Sequence, residues 1–79
     1  MPAIDMTATG LNIKNLKNNA GLTTKDIADA LGFNTSVAIY KWMRGDSLPT
    51  LDNLIILADL LGVTINDIIV IKKNNAAVA

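Results

Sequence analysis

Apolar residues recur along this chain at the three- to four-residue spacing of amphipathic helices, and glycines divide the pattern into segments. Gly21, Gly32, Gly45 and Gly62 each follow a stretch with this periodicity, and glycine readily adopts the left-handed backbone that ends many helices. No stretch alternates clearly enough to predict a strand, although the β-branched run around Val70 could extend instead of coiling. The pattern predicts an all-α fold, a compact bundle of about five helices.

The segment from Thr23 to Gly45 predicts two short helices joined by a tight turn. Thr23 and Asp26 have the spacing of a reciprocal N-terminal cap, so helix two is expected over 24–31, ending at Gly32. After the turn, with Thr35 as the candidate cap, helix three is expected over 36–43. Its inner face would carry Ala38, Ile39 and Trp42, and its outer face Val37, Tyr40, Lys41 and Arg44. Such a pair of helices presents one helix outward, which is how small proteins enter a DNA groove.

The segments on either side of this unit predict three further helices. Helix one is expected over 10–20, capped by Thr9, with Ile13, Leu16 and Ala20 buried. Helix four should begin after Thr50 and bury a broad apolar face, which consists of Leu51, Leu54, Ile55, Leu57, Ala58 and Leu61. These helices place the domain at residues 9–71, between a poorly ordered N-terminal arm at 1–8 and a flexible tail at 72–79.

Thr64 and Asp67 predict the start of helix five, because they again have the spacing of a reciprocal cap. The apolar run that follows is longer than one small core requires, so part of it is expected to face another protein. The candidates for a dimer interface are Ile65, Ile68, Ile69 and Ile71.

Composition excludes several classes of function. The 79 residues are 51% hydrophobic and 18% charged, which is enough for one folded domain but includes no apolar run long enough to span a membrane. The sequence has no cysteine and no histidine, which removes disulfides, the usual zinc sites and the Cys/His or Ser/His nucleophiles. We therefore expect no catalytic residues, no metal and no cofactor. The N-terminus lacks the features of a secretory signal, so a cytoplasmic location is expected.

Net charge is the main argument against a DNA-binding function, because seven basic and seven acidic residues cancel. The local distribution is more favourable, since Lys25, Lys41 and Arg44 cluster around the central unit, whereas Asp52, Asp59 and Asp67 belong to helices four and five. Asp46 weakens this separation. If each protomer neutralised about three phosphates, a dimer would show a salt slope of roughly −5 and a lone protomer would bind weakly. Useful affinity would therefore require dimerisation.

The residues GLTTKDIADALGF, followed by AIYKWMRGDSLPTLDNLIILADLLGVTINDII, resemble the lambda-repressor-like, Cro/CI-type helix-turn-helix domains of the XRE family of bacterial and phage transcriptional regulators. The resemblance covers about residues 9–71. It implies that helix three lies in the major groove while a symmetric dimer binds a pseudopalindromic operator, with repression as the expected outcome. The chain departs from the family in a turn one residue longer after Gly32, in Thr24 where many members have glutamine, and in Met43 where many have glutamate.

The resemblance and the side-chain chemistry together give candidate contacts with double-stranded DNA. The candidates for reading bases are Ser36, Val37, Tyr40 and Lys41, of which Tyr40 and Lys41 could also reach phosphates. The candidates for phosphate contacts are Thr24, Lys25, Asn34, Thr35, Arg44 and Ser47. An alternative function keeps the fold but not the DNA: a protein-interaction module that grips a partner through helix five and the segment from Ile65 to Ile71.

Overall fold

The computed structural model describes residues 3–72 and confirms the all-α bundle. The elements in chain order are β1 (Ala3–Ile4), α1 (Met6–Asn19), α2 (Thr24–Leu31), α3 (Val37–Arg44), α4 (Leu51–Leu61), α5 (Ile65–Ile68) and β2 (Ile71–Lys72). The two strands form a small antiparallel ribbon in which Ala3 pairs with Lys72 and Ile4 with Ile71. The ribbon is a minor addition that joins the two ends of the described chain.

Local capping chemistry determines where α2 begins and ends. The backbone N–H of Asp26 donates to the Thr23 hydroxyl at 3.0 Å, and the Thr23 N–H donates to the Asp26 carboxylate at 2.9 Å. The predicted reciprocal cap is thus confirmed, and it satisfies two backbone donors that the first turn leaves free. At the other end, Gly32 has a φ of 77°, which places it in the left-handed region that favours glycine.

The beginning of α1 differs from the sequence-based expectation. The helix starts at Met6 rather than near Gly10, and its cap is Asp5, whose carboxylate accepts the Ala8 N–H at 3.0 Å. The expected poorly ordered arm is therefore wrong for residues 3–8, which form β1, the cap and the first turn of α1. Residues 1–2 lie outside the described part of the chain.

Thr9 is fully buried and has a different role from the cap expected of it. Its hydroxyl accepts the Val70 N–H at 2.9 Å and lies 3.4 Å from the Val70 carbonyl oxygen, to which it donates. Asn12, one turn further along α1, donates to the carbonyl groups of Asp67 and Ile68 at 2.7 and 2.9 Å. These bonds fasten the C-terminal segment to α1, which explains why a polar side chain is tolerated in the core.

Glycine allows α1 and α3 to pack backbone against backbone. A Cβ atom added to Gly10 would lie 2.4 Å from the carbonyl oxygen of Trp42 and 2.7 Å from that of Met43. One added to Gly45 would lie 3.0 Å from the Met6 carbonyl oxygen. The last turn of α3 is therefore held directly against the first half of α1.

The core lies between α1, α2, α3 and α4, and α5 closes one end. Its buried apolar residues are Ile13, Ile27, Ala28, Ile39, Trp42, Leu54, Leu57, Ala58 and Ile68. Two expectations about burial are wrong: Ala20 is exposed, and α4 buries a narrower face than expected, because Leu51 and Ile55 lie on its solvent side. The sequence of an amphipathic helix shows which residues are apolar, but which of them are covered by a neighbour depends on packing.

The C-terminal apolar run is only partly helical. The helix α5 ends at Ile68, because Ile69 has extended backbone (φ −79°, ψ 127°), and the chain continues into β2. Lys72 belongs to this strand, so the expected flexible tail does not begin there. The rest of the expected tail, residues 73–79, lies outside the described part of the chain.

Candidate nucleic-acid interface

The outer face of α3 is an exposed stripe of four side chains. Val37, Tyr40, Lys41 and Arg44 occupy positions i, i+3, i+4 and i+7, which place them on one side of a helix. All four are exposed. The stripe combines one aliphatic side chain, one phenol and two cations, the chemistry that base edges and phosphates can accept.

The inner face of α3 anchors this stripe. Ile39 has none of its surface exposed and Trp42 has 4%. The Trp42 ring also meets Phe33 edge to face, with ring centroids 5.9 Å apart and an interplanar angle of 65°. Phe33 belongs to the connection between α2 and α3, so one aromatic contact ties the turn to the helix that follows it.

The start of α3 lacks the cap that the sequence predicts. Ser36, not Thr35, occupies the N-cap position, and the Ser36 side chain makes no capping hydrogen bond. The Thr35 hydroxyl instead accepts the Val37 N–H at a long 3.4 Å. Ser36 is half-buried, whereas Asn34 and Thr35 are exposed in the turn. These three polar side chains therefore lie at the N-terminal end of the α3 stripe.

The first residue of α2 contacts the middle of α3. The Thr24 hydroxyl donates to the Tyr40 hydroxyl at 3.3 Å, across 16 positions of sequence. Thr24 is half-buried and Tyr40 is exposed. The expected phosphate candidate on α2 and the expected base-reading candidate on α3 thus lie side by side, a proximity that the sequence did not reveal.

Ion pairs modify the charge of the candidate interface. Lys25 pairs with Asp29 one turn along α2 at 2.9 Å, and Arg44 pairs with Asp46 at 2.9 Å. The hydrogen bond from Lys25 to Asp29, and the charge of that carboxylate, raise the pKa of Lys25. Within residues 3–72, Lys41 has no ion pair. Both observed pairs are solvent-exposed and therefore weak, so a phosphate can displace the carboxylates at little cost.

The remaining phosphate candidate, Ser47, is half-buried in the loop after Gly45. This loop lies next to the C-terminal end of α3, where Gly45 packs against the first turn of α1. Ser47 therefore lies at the opposite end of the stripe from Asn34 and Thr35.

The four dimer-interface candidates differ in how much of each side chain is exposed. Ile68 is wrong as an interface residue, because its side chain is fully buried in the chain's own core. Ile65 and Ile69 are partly buried and pack against that core. Ile71 is exposed on β2. The extra apolar content of this run is thus mostly used to close the end of the bundle.

A larger apolar surface, which the sequence did not single out, lies on α4. Leu51, Ile55 and Ile56 are 67%, 53% and 43% exposed, and the first two are one helical turn apart. We call these three residues the α4 patch. Amphipathicity alone did not identify it, because eight of the eleven residues of α4 are apolar and the exposed Asp52 and Asp59 are interspersed with the patch residues.

Among residues 3–72, no cluster of three or more His, Cys, Asp or Glu side chains is placed to bind a metal ion. Within the same range, none of the helices has both the length and the apolar character needed to cross a membrane.

Comparison with known proteins agrees with this geometry. The model of the family described as "Helix-turn-helix" matches residues 13–68. Among solved structures, the restriction-modification controller protein C.AhdI from Aeromonas hydrophila is similar with a TM-score of 0.72 and 22% identity, over 81% of this chain and 96% of that one. The DNA-binding domain of BldD is similar with a TM-score of 0.66 and 22% identity, over 81% and 92%. Among curated proteins, none matches this sequence.

Proposed function

The chain belongs to the helix-turn-helix family of DNA-binding transcription regulators, of the XRE, Cro/CI type, and on that premise we propose that it recognises a specific operator in double-stranded DNA. The observation that carries this proposal is the division of α3 into a buried face, Ile39 and Trp42, and a bare face formed by the stripe from Val37 to Arg44. A helix held in this way can enter a major groove without disturbing the core.

The roles of the side chains follow from their position on the stripe. Ser36 and Val37 at the N-terminal end suit base edges, the hydroxyl as donor or acceptor and the valine against a thymine methyl group. Lys41 has no ion pair among the described residues and suits guanine O6 or N7. The cations Lys25 and Arg44 would exchange their carboxylate partners for phosphates and fix the register.

The test is selection of bound fragments from random duplex DNA at two salt concentrations. We expect one enriched sequence, and replacement of Lys41 by Met should weaken binding and relax the preference at the guanine that it contacts. Because it also removes a cation from the interface, it should flatten the plot of log affinity against log salt by about one per protomer. Lys14→Met is the matched control, because Lys14 is an exposed lysine on α1. The proposal fails if the wild-type chain enriches no sequence at either salt concentration.

We also propose that two copies bind together, with the α4 patch between them. A single protomer offers few cations, and two of the three around α3 are already paired with carboxylates, so one copy would hold DNA weakly. The patch lies on the helix that begins at Leu51, only a short loop after α3 ends at Arg44. A twofold axis at the patch would give the assembly two recognition helices, one from each copy.

Sedimentation equilibrium separates this dimer surface from the one expected at the C-terminal run. The double substitution Leu51→Ser and Ile55→Ser should raise the dimer dissociation constant at least about ten-fold, since two large apolar side chains lose their burial. Ile71→Ser, a matched change of another exposed residue, should leave it unchanged. If Ile71→Ser alone produces monomers, the interface lies at β2 and not at the α4 patch.

The competing function is a protein-interaction module built on helix five, but most of the side chains proposed to contact a partner face the chain's own core. Of the candidate side chains, Ile68 is buried and Ile65 and Ile69 pack inward, which leaves Ile71 as the exposed one. The finer aspects of the proposal are that the regulator represses by occupying its operator and that it acts in the cytoplasm. A reporter gene behind the selected sequence tests the first: expression should fall when the protein is produced, and a rise would indicate activation.

A further inference from the structure

Two hydroxyl groups from different helices meet on the solvent side of the helix-turn-helix unit. Thr24 is the first residue of α2 and Tyr40 lies in the middle of α3, and their oxygen atoms are 3.3 Å apart. Within residues 3–72, this is the one hydrogen bond between side chains that joins two helices. Tyr40 keeps 50% of its surface exposed, so the pair is open to a ligand.

The bond itself is too long to matter much for stability. Hydrogen bonds between hydroxyl groups usually measure about 2.5–3.0 Å, and a neutral one contributes little to folding even at the best distance. The bond does, however, limit how many protons the two hydroxyl groups can donate to a ligand. Each hydroxyl has one proton to donate, so whichever of the two donates within the pair, one proton remains available to an acceptor outside the protein. When Thr24 donates to Tyr40, that proton is the one on the phenol.

The position of the pair favours the DNA backbone over the bases. Tyr40 lies beside the first residue of α2, in the middle of α3 and one turn beyond Ser36 and Val37 at its N-terminal end. A neighbouring cation, Lys25, follows Thr24 directly in α2 and is exposed. A phosphate has acceptor oxygens only, so it matches a pair whose available group is a donor.

We propose that Thr24 and Tyr40 act as one neutral contact to a DNA phosphate, in which Tyr40 donates and Thr24 positions it, and that Tyr40 reads no base. This inference rests on the proposed function, because it concerns a contact within the same interface. It resolves the two roles that the sequence left open for Tyr40, a base contact or a phosphate contact.

The inference predicts a specific pattern of affinities for the isosteric variants Tyr40→Phe and Thr24→Val. Loss of a hydrogen bond to a charged group should weaken binding about ten-fold for the selected operator and for an unrelated duplex alike, so the ratio between them is unchanged. Because neither hydroxyl carries charge, the salt slope should also stay the same, in contrast to Lys41→Met. The double variant should bind no more weakly than Tyr40→Phe, and Thr24→Ser should restore affinity.

A phosphate-level measurement identifies the contact directly. Duplexes that carry a single methylphosphonate, which lacks one charged phosphate oxygen, are titrated with the wild-type chain for each backbone position of the operator. The same duplexes are titrated with Tyr40→Phe. We expect one position per half-site at which the methylphosphonate weakens binding of the wild-type chain but causes no further loss of affinity for Tyr40→Phe. Thermal unfolding of each variant without DNA serves as the control, and it should be unchanged.

The outcomes separate the two proposals. If the wild-type chain selects an operator but Tyr40→Phe changes the preferred base at one position, Tyr40 reads a base and the inference is overturned. Additive losses of affinity in the double variant would overturn it as well, because they indicate two independent contacts. A lowered melting temperature with unaltered affinity would also overturn it, because it indicates that the pair only connects the two helices. Failure of the wild-type chain to bind any duplex would overturn the proposed function and this inference together.

Discussion

The inner and outer sides of α3 differ in the contacts that their side chains make. On the inner side Ile39 and Trp42 pack into the core, and the last turn lies against Gly10 of α1 at backbone contact. On the outer side Val37 and Tyr40 remain 58% and 50% exposed, Tyr40 makes one long hydrogen bond to Thr24, and Arg44 forms an exposed ion pair with Asp46. The inner side therefore determines where the helix lies, and the outer side is free to determine what it binds.

This difference separates two kinds of mutational effect. Changes on the inner side should alter the free energy of unfolding and affect binding only through it. Changes on the outer side should alter affinity or base preference with little effect on stability, because substitutions at exposed sites usually change it by less than about 0.5 kcal/mol. Such a division lets one scaffold present different recognition surfaces.

The largest effect should come from Gly10→Ala. The new methyl group would overlap the carbonyl oxygens of Trp42 and Met43, so α1 and α3 must move apart. We expect a loss of about 3 kcal/mol, the upper part of the usual range for overpacking, although alanine favours helix by about 1 kcal/mol. Urea unfolding followed by circular dichroism measures this loss.

The matched control for that substitution is Gly21→Ala. Gly21 has a φ of 71° and no neighbour within 4 Å of an added Cβ, so only the backbone conformation is penalised. Its expected cost is about 1 kcal/mol. If Gly10→Ala is no worse than Gly21→Ala, the close approach of the two helices does not contribute to stability.

A smaller effect, which compares the two faces within one helix, is expected for Ile39→Val and Val37→Ala. The first removes one methylene group from a fully buried site and should cost about 1 kcal/mol. The second removes methyl groups from an exposed site and should leave stability within about 0.5 kcal/mol, while it weakens operator binding. Equal losses of stability would show that the outer face is not free of structural constraint.

The smallest effect concerns pH. The backbone N–H of Thr23, with its hydroxyl, holds the pKa of Asp26 below its ordinary 3.8, and Thr64 does the same for Asp67. A lowered folded-state pKa means that the stabilisation is fully present above the unfolded-state value and is lost as the pH falls through the folded-state value. The melting temperature should therefore be flat from about pH 7 to 5 and decline below about pH 4.

The inner contacts should not share in this acid sensitivity, because the one buried polar side chain among residues 3–72 is Thr9, which does not titrate. Asp26→Asn combined with Asp67→Asn tests the assignment. The variant should be less stable than the wild-type chain at pH 7, and the difference should shrink as the pH falls below about 4. A difference that persists unchanged at pH 2 would place the acid sensitivity elsewhere.

Much of the candidate site was predictable because its signals are local. The caps at Thr23 with Asp26 and at Thr64 with Asp67 depend on residues three positions apart, and the ends of helices depend on one glycine. The burial of Ile39 and Trp42 follows from their spacing on one face of a helix. Such features need no knowledge of the rest of the chain.

The features that sequence reasoning missed depend on partners far away in the chain. Gly10 looked like the start of a helix, but it is the point at which α1 touches α3, more than 30 positions later. The exposure of the α4 patch was hidden because eight of the eleven residues of its helix are apolar. The proximity of Thr24 and Tyr40 depends on how α2 and α3 cross, which their sequences do not specify.

Neighbouring residues specify the helical class, the helix-turn-helix unit, its caps and the two faces of α3, because short-range hydrogen bonding and the 3.6-residue period are local properties. Contacts between distant parts of the chain are needed to explain that the N-terminal segment extends α1 and pairs with β2, that the C-terminal isoleucines close the core, and that the α4 patch stays uncovered. These outcomes depend on which surfaces meet, and that is settled by packing the whole chain at once.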